Sequence, residues 1–572
     1  MSTLRTRKNI TTLDIKTRDD LVHAFELLQK QGPGTAEVPI EDSFYTIAGY
    51  HGQPFRGAGY GNRDWWGGFC HHGNVLFPTW HRAYVLRLEE ALRNVSKKPD
   101  LALPYWDEIA GESVPKIFTD KKYEFSDGRI IENPLYSYKL SQGFFDNLGR
   151  IASNKAGTTT KEVDYSKPRN YETVRCPYSG LVGKDDKDAT KSHNDSIDEA
   201  EALKALNANV ESWMKFPATD GVPGMGELYL NAAFRAPNYT VFSNTTSAAK
   251  WNDDLFAREA KWKDDFVVSV ERPHNGVHLA VGGYDMPDKS TDRNSPSEAN
   301  GDMGENDTAA FDPIFFFHHC FIDMIFWVWQ SYHNATTEFD IIPFYPGTSP
   351  IDSQGPTPGM GADSQLNMDT PLTPFPYTSK GVVDIKKLGY DYAWPEYFPI
   401  KVTPIPTKPE TAGPDDKNVE SAGGDDSVGD IGCADVARSA VRVTGISRSQ
   451  RLGSFVVAIW AFPSDDEDNW ECASLVGVEP VFSRWHVPNC ANCSNSLTVT
   501  MHGHLPPGSS PTSSDKFTDK EGKEKKLKLR VLENQLVQEG VGLPRKRKVL
   551  NTITADSRVD PGPWMEIKLV SG

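Results

Sequence analysis

Residues 403–430, TPIPTKPETAGPDDKNVESAGGDDSVGD, hold no aromatic side chain and are rich in Pro, Gly and Asp. Such a stretch cannot bury enough apolar surface to offset the entropy lost on ordering it. The chain must therefore fold as two parts, each with its own core. Before the break, from about Asp14 to Tyr392, aromatic residues are abundant and amphipathic stretches alternate with long Gly-, Pro- and Asn-containing loops, the pattern of one large, mainly helical domain. The spacing predicts helices over Leu21–Leu28, Thr79–Val95 (after Pro78), Phe266–Val281 and Asp312–Tyr332, with a polar, loop-rich region over 120–200. After the break, SFVVAIWAF, SLVGVEPVFS, SLTVTMHGHL, KLKLRVLENQ and WMEIKLV are short β-rich runs between turn residues, the pattern of a small all-β sandwich or barrel. The expected division is a helical domain over 1–402, an exposed, cleavable acidic linker over 403–435 and a β domain over 436–572.

Acidic residues outnumber basic ones by 78 to 61, a net charge of −17, which argues against a nucleic-acid partner. The mixed-charge stretches Asp515–Arg530 and Arg545–Lys548 read as solvated loops rather than polyanion contacts. MSTLRTRKNITTLDIK at the start lacks an apolar signal core, and the longest apolar run, Ile314–Trp329, is broken by His318, His319 and Asp323, so neither a signal peptide nor a membrane span is expected. Seven cysteines, an odd and sparse number, fit a reducing, cytoplasmic setting better than a disulfide framework.

Histidine placement carries the chemistry. Of 14 histidines, two clusters stand out: His51, His71, His72 and His81, then His274, His278, His318 and His319. In ERPHNGVHLAVGG, His274 and His278 stand one helical turn apart and share a face. FDPIFFFHHCFIDMIFWVWQ supplies a further imidazole on another helix, flanked by an apolar wall. CHHGNVLFPTWHR and His51 supply the other half. Each half thus offers three imidazoles without a carboxylate, which favours copper or zinc over hard cations. One catalytic zinc would leave the second set surplus, whereas two copper ions face to face use both and point to dioxygen chemistry.

HHGNVLFPTWHR, PHNGVHLAVGG and DPIFFFHHCFIDMIFW resemble the two copper-binding signatures of tyrosinases and related type 3 copper proteins, and the two-domain layout resembles that of fungal pro-tyrosinases. The resemblance implies a four-helix bundle around a dicopper site, with His51, His72 and His81 on copper A and His274, His278 and His319 on copper B. It leaves His71 and His318 as supporting residues. It further implies a thioether between Cys70 and His72, and a water held by Glu271 and Asn275 that accepts a phenol proton. Where the family often has Asp-Arg, this chain has Asp323-Met324, which puts an ion pair of Asp323 in doubt. The activity implied is hydroxylation of monophenols to o-diphenols and their oxidation to o-quinones by dioxygen, feeding melanin-like pigment. Alternatives are a catechol oxidase or o-aminophenol oxidase, or a hemocyanin-like oxygen carrier.

Cys490-Ala-Asn-Cys493 is a CxxC, two thiols suited to a transient soft-metal site or a redox pair and too few for structural zinc. His486, His502 and His504 lie near enough in sequence to complete a metal site. The resemblance implies copper delivery for this pair, with a copper donor as partner. It also implies an aromatic plug from the β domain over the substrate cavity, for which Phe482 in EPVFSRW is the first candidate and Trp485 the second. Activation would then need a protease. A homo-oligomer stays open.

Overall fold

The computed structural model describes residues 4–34, 40–54, 68–110, 113–145, 164–184, 186–215, 222–257, 266–284, 300–349, 364–395, 397–398, 439–448, 453–466, 472–484, 498–506, 508–537, 546–553 and 566–570. The 403–435 stretch, Trp485, His486 and the Cys490/Cys493 pair lie outside these residues. The helices are α1 (Ile15–Lys30), α2 (Phe44–Gly49), α3 (Phe77–Ser96), α4 (Lys116–Thr119), α5 (Lys187–Asp195), α6 (Glu199–Lys215), α7 (Met225–Arg235), α8 (Tyr239–Ser243), α9 (Thr245–Ala257), α10 (Glu271–Gly282) and α11 (Ile314–Tyr332). Strands β1 (Arg5–Arg7), β2 (Lys122–Glu124), β3 (Ile130–Glu132) and β4 (Tyr390–Tyr392) are short.

α11 organises the helical part. From Ile314 to Gln330 every side chain is buried, as expected of a helix apolar on all sides. Its one acid, Asp323, is fully partnered. The carboxylate accepts from Arg82 Nε (2.5 Å), Arg7 Nη1 (3.0 Å) and the hydroxyls of Tyr390 (2.7 Å) and Tyr392 (2.6 Å). The expectation that its ion pair is in doubt is therefore corrected. The cation comes from α3 and from β1, which pairs in parallel with β4, instead of from the next residue on α11.

Two other expectations shift. The helix expected from Phe266 starts at Glu271, because the preceding segment is tied down in another way: Val267 N–H donates to Asn252 Oδ1 (3.0 Å), Val267 O accepts from Asn252 Nδ2 (2.9 Å) and Val268 N–H donates to Asn231 Oδ1 (3.1 Å). The 120–200 region carries the β2–β3 hairpin and α5 among its loops.

The β part holds β5 (Ala440–Ser447), β6 (Phe455–Pro463), β7 (Ser474–Val481), β8 (Thr498–His504), β9 (Ser510–Pro511), β10 (Lys516–Thr518), β11 (Glu524–Val537), β12 (Lys546–Ile553) and β13 (Glu566–Val570). One sheet runs β7-β6-β11-β10-β9 with β12 also on β11, and the other runs β13-β5-β8. The charged stretches expected to be loops are largely strands, since β10 and the first half of β11 lie in 515–530 and β12 begins in 545–548. Period-two alternation explains why β6 is buried on both faces. Phe455, Val457, Ile459 and Ala461 join the core between the sheets, while Val456, Ala458, Trp460 and Phe462 join the core shared with the helices. One face of this sheet closes the sandwich and the other docks it.

Candidate metal centre

Four helices bring the histidines together. His51 follows α2 and His72 precedes α3, while His81 stands on α3, His274 and His278 on α10, and His319 on α11. Pro78 and Pro273 occupy first turns, where the missing N–H costs no helical bond. All six imidazoles are buried. The ligand atoms of His51, His72 and His81 form one close group, and those of His274, His278, His318 and His319 form a second. The groups adjoin, with His81 stacked on His319 at 4.5 Å between ring centroids.

Ring tautomers follow from the partners. His51 Nδ1 lies 3.1 Å from Asn306 O, His81 Nδ1 2.8 Å from Phe77 O and His278 Nδ1 2.9 Å from Met303 O. Carbonyls only accept, so Nδ1 carries the proton and Nε2 keeps its lone pair. His274 Nδ1 makes the same contact with Asn275 Oδ1 at 3.0 Å. The Nε2 atoms of His51, His72 and His81 are buried without a hydrogen-bond partner among the described residues. His319 Nε2 lies 3.3 Å from both His274 Nε2 and His278 Nε2. Nitrogens set tetrahedrally about 2.0–2.1 Å from one ion lie about 3.3 Å apart, so this set has the spacing of a metal site. Burial drives every one of these imidazoles toward its neutral form: His81 is pushed down to about 3, and His51, His72, His274, His278 and His319 fall well below their ordinary value, also through neighbouring histidines. Neutral nitrogen donors without carboxylates fit copper.

The supports of these rings come largely from a polar run that sequence reasoning passed over, residues 302–307. Two glycines let it approach. A Cβ on Gly52 would meet Asp307 O at 2.4 Å, and one on Gly282 would meet Gly304 N and Cα at 2.3 Å. Those close crossings bring Asn306 O to His51 and Met303 O to His278. The signal available was GDMGEND itself, a glycine-punctuated polar run just upstream of the α11 ligands.

Glu271 lies buried beside the centre. Its Oε1 accepts from Gly73 N–H (2.7 Å) and its Oε2 from Thr245 N–H (2.8 Å) and Thr245 Oγ1 (3.1 Å). Burial raises its pKa, against the pull of those donors. Cys70 Sγ stands 3.5 Å from His72 Nδ1, and burial pushes its thiol up to about 11 despite the Arg484 guanidinium beside it. His71 is held at 3.2 Å by Asn74 Nδ2.

The β domain reaches the same spot. Phe482, just past β7, stacks on His278 with centroids 4.1 Å apart and planes 19° from parallel, and stands edge-on to His72 (5.8 Å) and His274 (6.0 Å). Two residues on, the buried Arg484 donates to Asp307 Oδ1 (2.5 Å), His51 O (2.9 Å) and Cys70 Sγ (2.9 Å). Further out, Arg272 pairs with Glu479 (2.8 Å), and Arg442 pairs with Asp253 (2.5 Å). His502 Nε2 is 2.7 Å from Asp253 Oδ1, so this ring takes part in the domain contact.

Comparison with known proteins agrees with this geometry. Residues 41–332 match the family model described as the common central domain of tyrosinase. A tyrosinase of Aspergillus oryzae is 40% identical over 523 residues, spanning 86% of this chain and 87% of that one. A tyrosinase of a Hahella species is 39% identical over 526 residues, 85% and 84% of the two chains. Among solved structures, a tyrosinase from Burkholderia thailandensis matches with TM-score 0.69 and 35% identity, covering 93% of this chain and 95% of its own.

Proposed function

Because this chain belongs to the tyrosinase family of copper oxidases, we propose that it hydroxylates monophenols to o-diphenols and oxidises these to o-quinones with dioxygen. We propose further that it holds two copper ions and is made latent. The observation that carries the reading is the pair of adjoining buried imidazole groups, His51, His72 and His81 beside His274, His278, His318 and His319, with no carboxylate in either. His51, His72 and His81 would hold one ion and His274, His278 and His319 the other. When bound, the copper pair supplies paired one-electron redox chemistry toward dioxygen.

The chain's own residues do the rest. A phenol ring stacks on the face of His278 that Phe482 occupies in the latent protein. Glu271 accepts the phenol proton through a water shared with Asn275. A carboxylate offers about four lone-pair positions, and three are taken by Gly73 and Thr245, which leaves one for that water. Burial makes Glu271 more basic than an ordinary carboxylate, as the task requires. Cys70, once joined to His72, fixes that ring.

Latency follows from Phe482 and Arg484 entering together from a domain over 436–572. A protease cutting the 403–435 linker would release it, and Cys490 with Cys493 would pass Cu(I) from a donor. No helix among the described residues is long and apolar enough to cross a membrane, and a cytoplasmic site of action suits the thiols. Oxygen uptake with a monophenol and an o-diphenol, before and after limited proteolysis, tests the reading. Turnover of both, rising after cleavage, is expected. Diphenol turnover alone would make the chain a catechol oxidase, and reversible oxygen binding without turnover would end the enzyme reading.

A further inference from the structure

His318 is a fully buried imidazole that neither three-histidine set uses. Its Nδ1 lies 2.6 Å from Glu108 Oε1, and Glu108 Oε2 accepts from the Tyr229 hydroxyl at 2.7 Å. All three side chains are buried. With the Nδ1 proton directed to the carboxylate, Nε2 keeps its lone pair, and it has no hydrogen-bond partner among the described residues. A buried polar atom left so is costly unless something else binds it. A carboxylate on one ring nitrogen with the other free is how proteins orient a metal-binding histidine.

The position suits that role. The ring stacks on His274 at 5.1 Å and 20° and lies 4.8 Å from His278. The ligand atoms of His274, His278, His318 and His319 all fall within 4.8 Å of one another. His319, in contrast, has no hydrogen-bond partner on Nδ1 among the described residues and is held by packing, notably its stack on Phe315 at 4.0 Å. The anchored ring thus stands beside the less anchored one on the same turn of α11.

We propose that His318 is a fourth copper-binding imidazole at this set, a standby ligand oriented by Glu108 that takes copper as it enters or leaves and exchanges it with His319. The exchange swaps one imidazole nitrogen for another on the ion, with no change of oxidation state. The proposal rests on the reading that His274, His278 and His319 hold copper.

The test uses the full chain with His81→Ala, so that the second set alone is followed, stripped of metal and reloaded with copper. Copper uptake and its extraction by a strong chelator are timed. Adding His318→Phe is expected to speed extraction about tenfold or more, and copper should persist, more weakly, in His319→Ala but vanish when both are replaced. Unchanged uptake and extraction in His318→Phe would overturn the proposal, as would a His319→Ala chain that holds copper equally with and without His318. If His318→Phe fails to fold by circular dichroism, Glu108→Gln decides: faster extraction supports the proposal and an unchanged rate overturns it. A His81→Ala chain that binds no copper would remove the two-set reading and the proposal together, which separates that failure from one confined to His318.

Discussion

Arg484→Ala should open the latent protein without cutting it. The guanidinium is buried, pairs with the buried Asp307 carboxylate at 2.5 Å, and also donates to His51 O and Cys70 Sγ. Truncating one partner of a buried ion pair costs about 3–5 kcal/mol, because the other charge stays desolvated and unpaired. That cost falls on the docked state, since Asp307 regains water when the β domain leaves. At about 1.4 kcal/mol per tenfold, the open fraction should rise by roughly two to three and a half orders of magnitude. The assay is the initial rate of oxygen consumption with a small o-diphenol in the uncut variant, set against the uncut parent and the clipped parent at equal copper content. Arg484→Lys, which keeps the charge but loses the fork, should fall between them. A folded, copper-replete Arg484→Ala chain as latent as its parent would refute the reasoning, and the docking energy would then lie elsewhere, foremost in the apolar face of β6.

Other expectations follow from the same contacts. Phe482→Ala should let a small phenol react in the uncut chain while bulky phenols stay excluded, as steady-state rates on a size series would show. Glu271→Gln should lower monophenol turnover far more than diphenol turnover, and equal losses would make the residue structural. Asp323→Asn should cost about 3–5 kcal/mol in chemical denaturation, because Arg7 and Arg82 lose a buried counter-charge. Burial alone would raise the Asp253 pKa, yet hydrogen bonds from Arg442 and His502 outweigh it and hold the carboxylate well below the usual range. A depressed carboxylate stabilises docking above its free value, about 3.9, and that stabilisation fades as pH falls through the depressed one. Acid should therefore loosen the β domain, an effect that activity measured at neutral pH after a brief acid exposure would detect and that Asp253→Asn should diminish.

The histidine sets were legible because metal binding forces several imidazoles of one kind onto few elements, and His274 with His278 wrote that spacing directly into α10. The strands of the β domain were legible where apolar alternation was strong. β10 and β12 were not, since their charged residues disguise ladders that depend on backbone pairing. α6, α7 and α9 escaped notice beside the stronger aromatic segments, although Leu206, Val210 and Trp213 give α6 a buried stripe. The partners of Asp323 could not be read at all, for Arg7 lies 316 residues away. Nor could Arg484, whose meaning depends on Asp307 lying opposite it across the domain contact. Glu108 was hidden for the same reason, as a single acid far in sequence from the ring it holds.

The most direct test of the account is the copper content of the clipped, fully active protein, measured by elemental analysis alongside oxygen uptake with a monophenol. The account predicts two coppers per chain, and loss of about one of them together with all turnover when His81 is replaced by Ala. Full activity with a single copper per chain would contradict it.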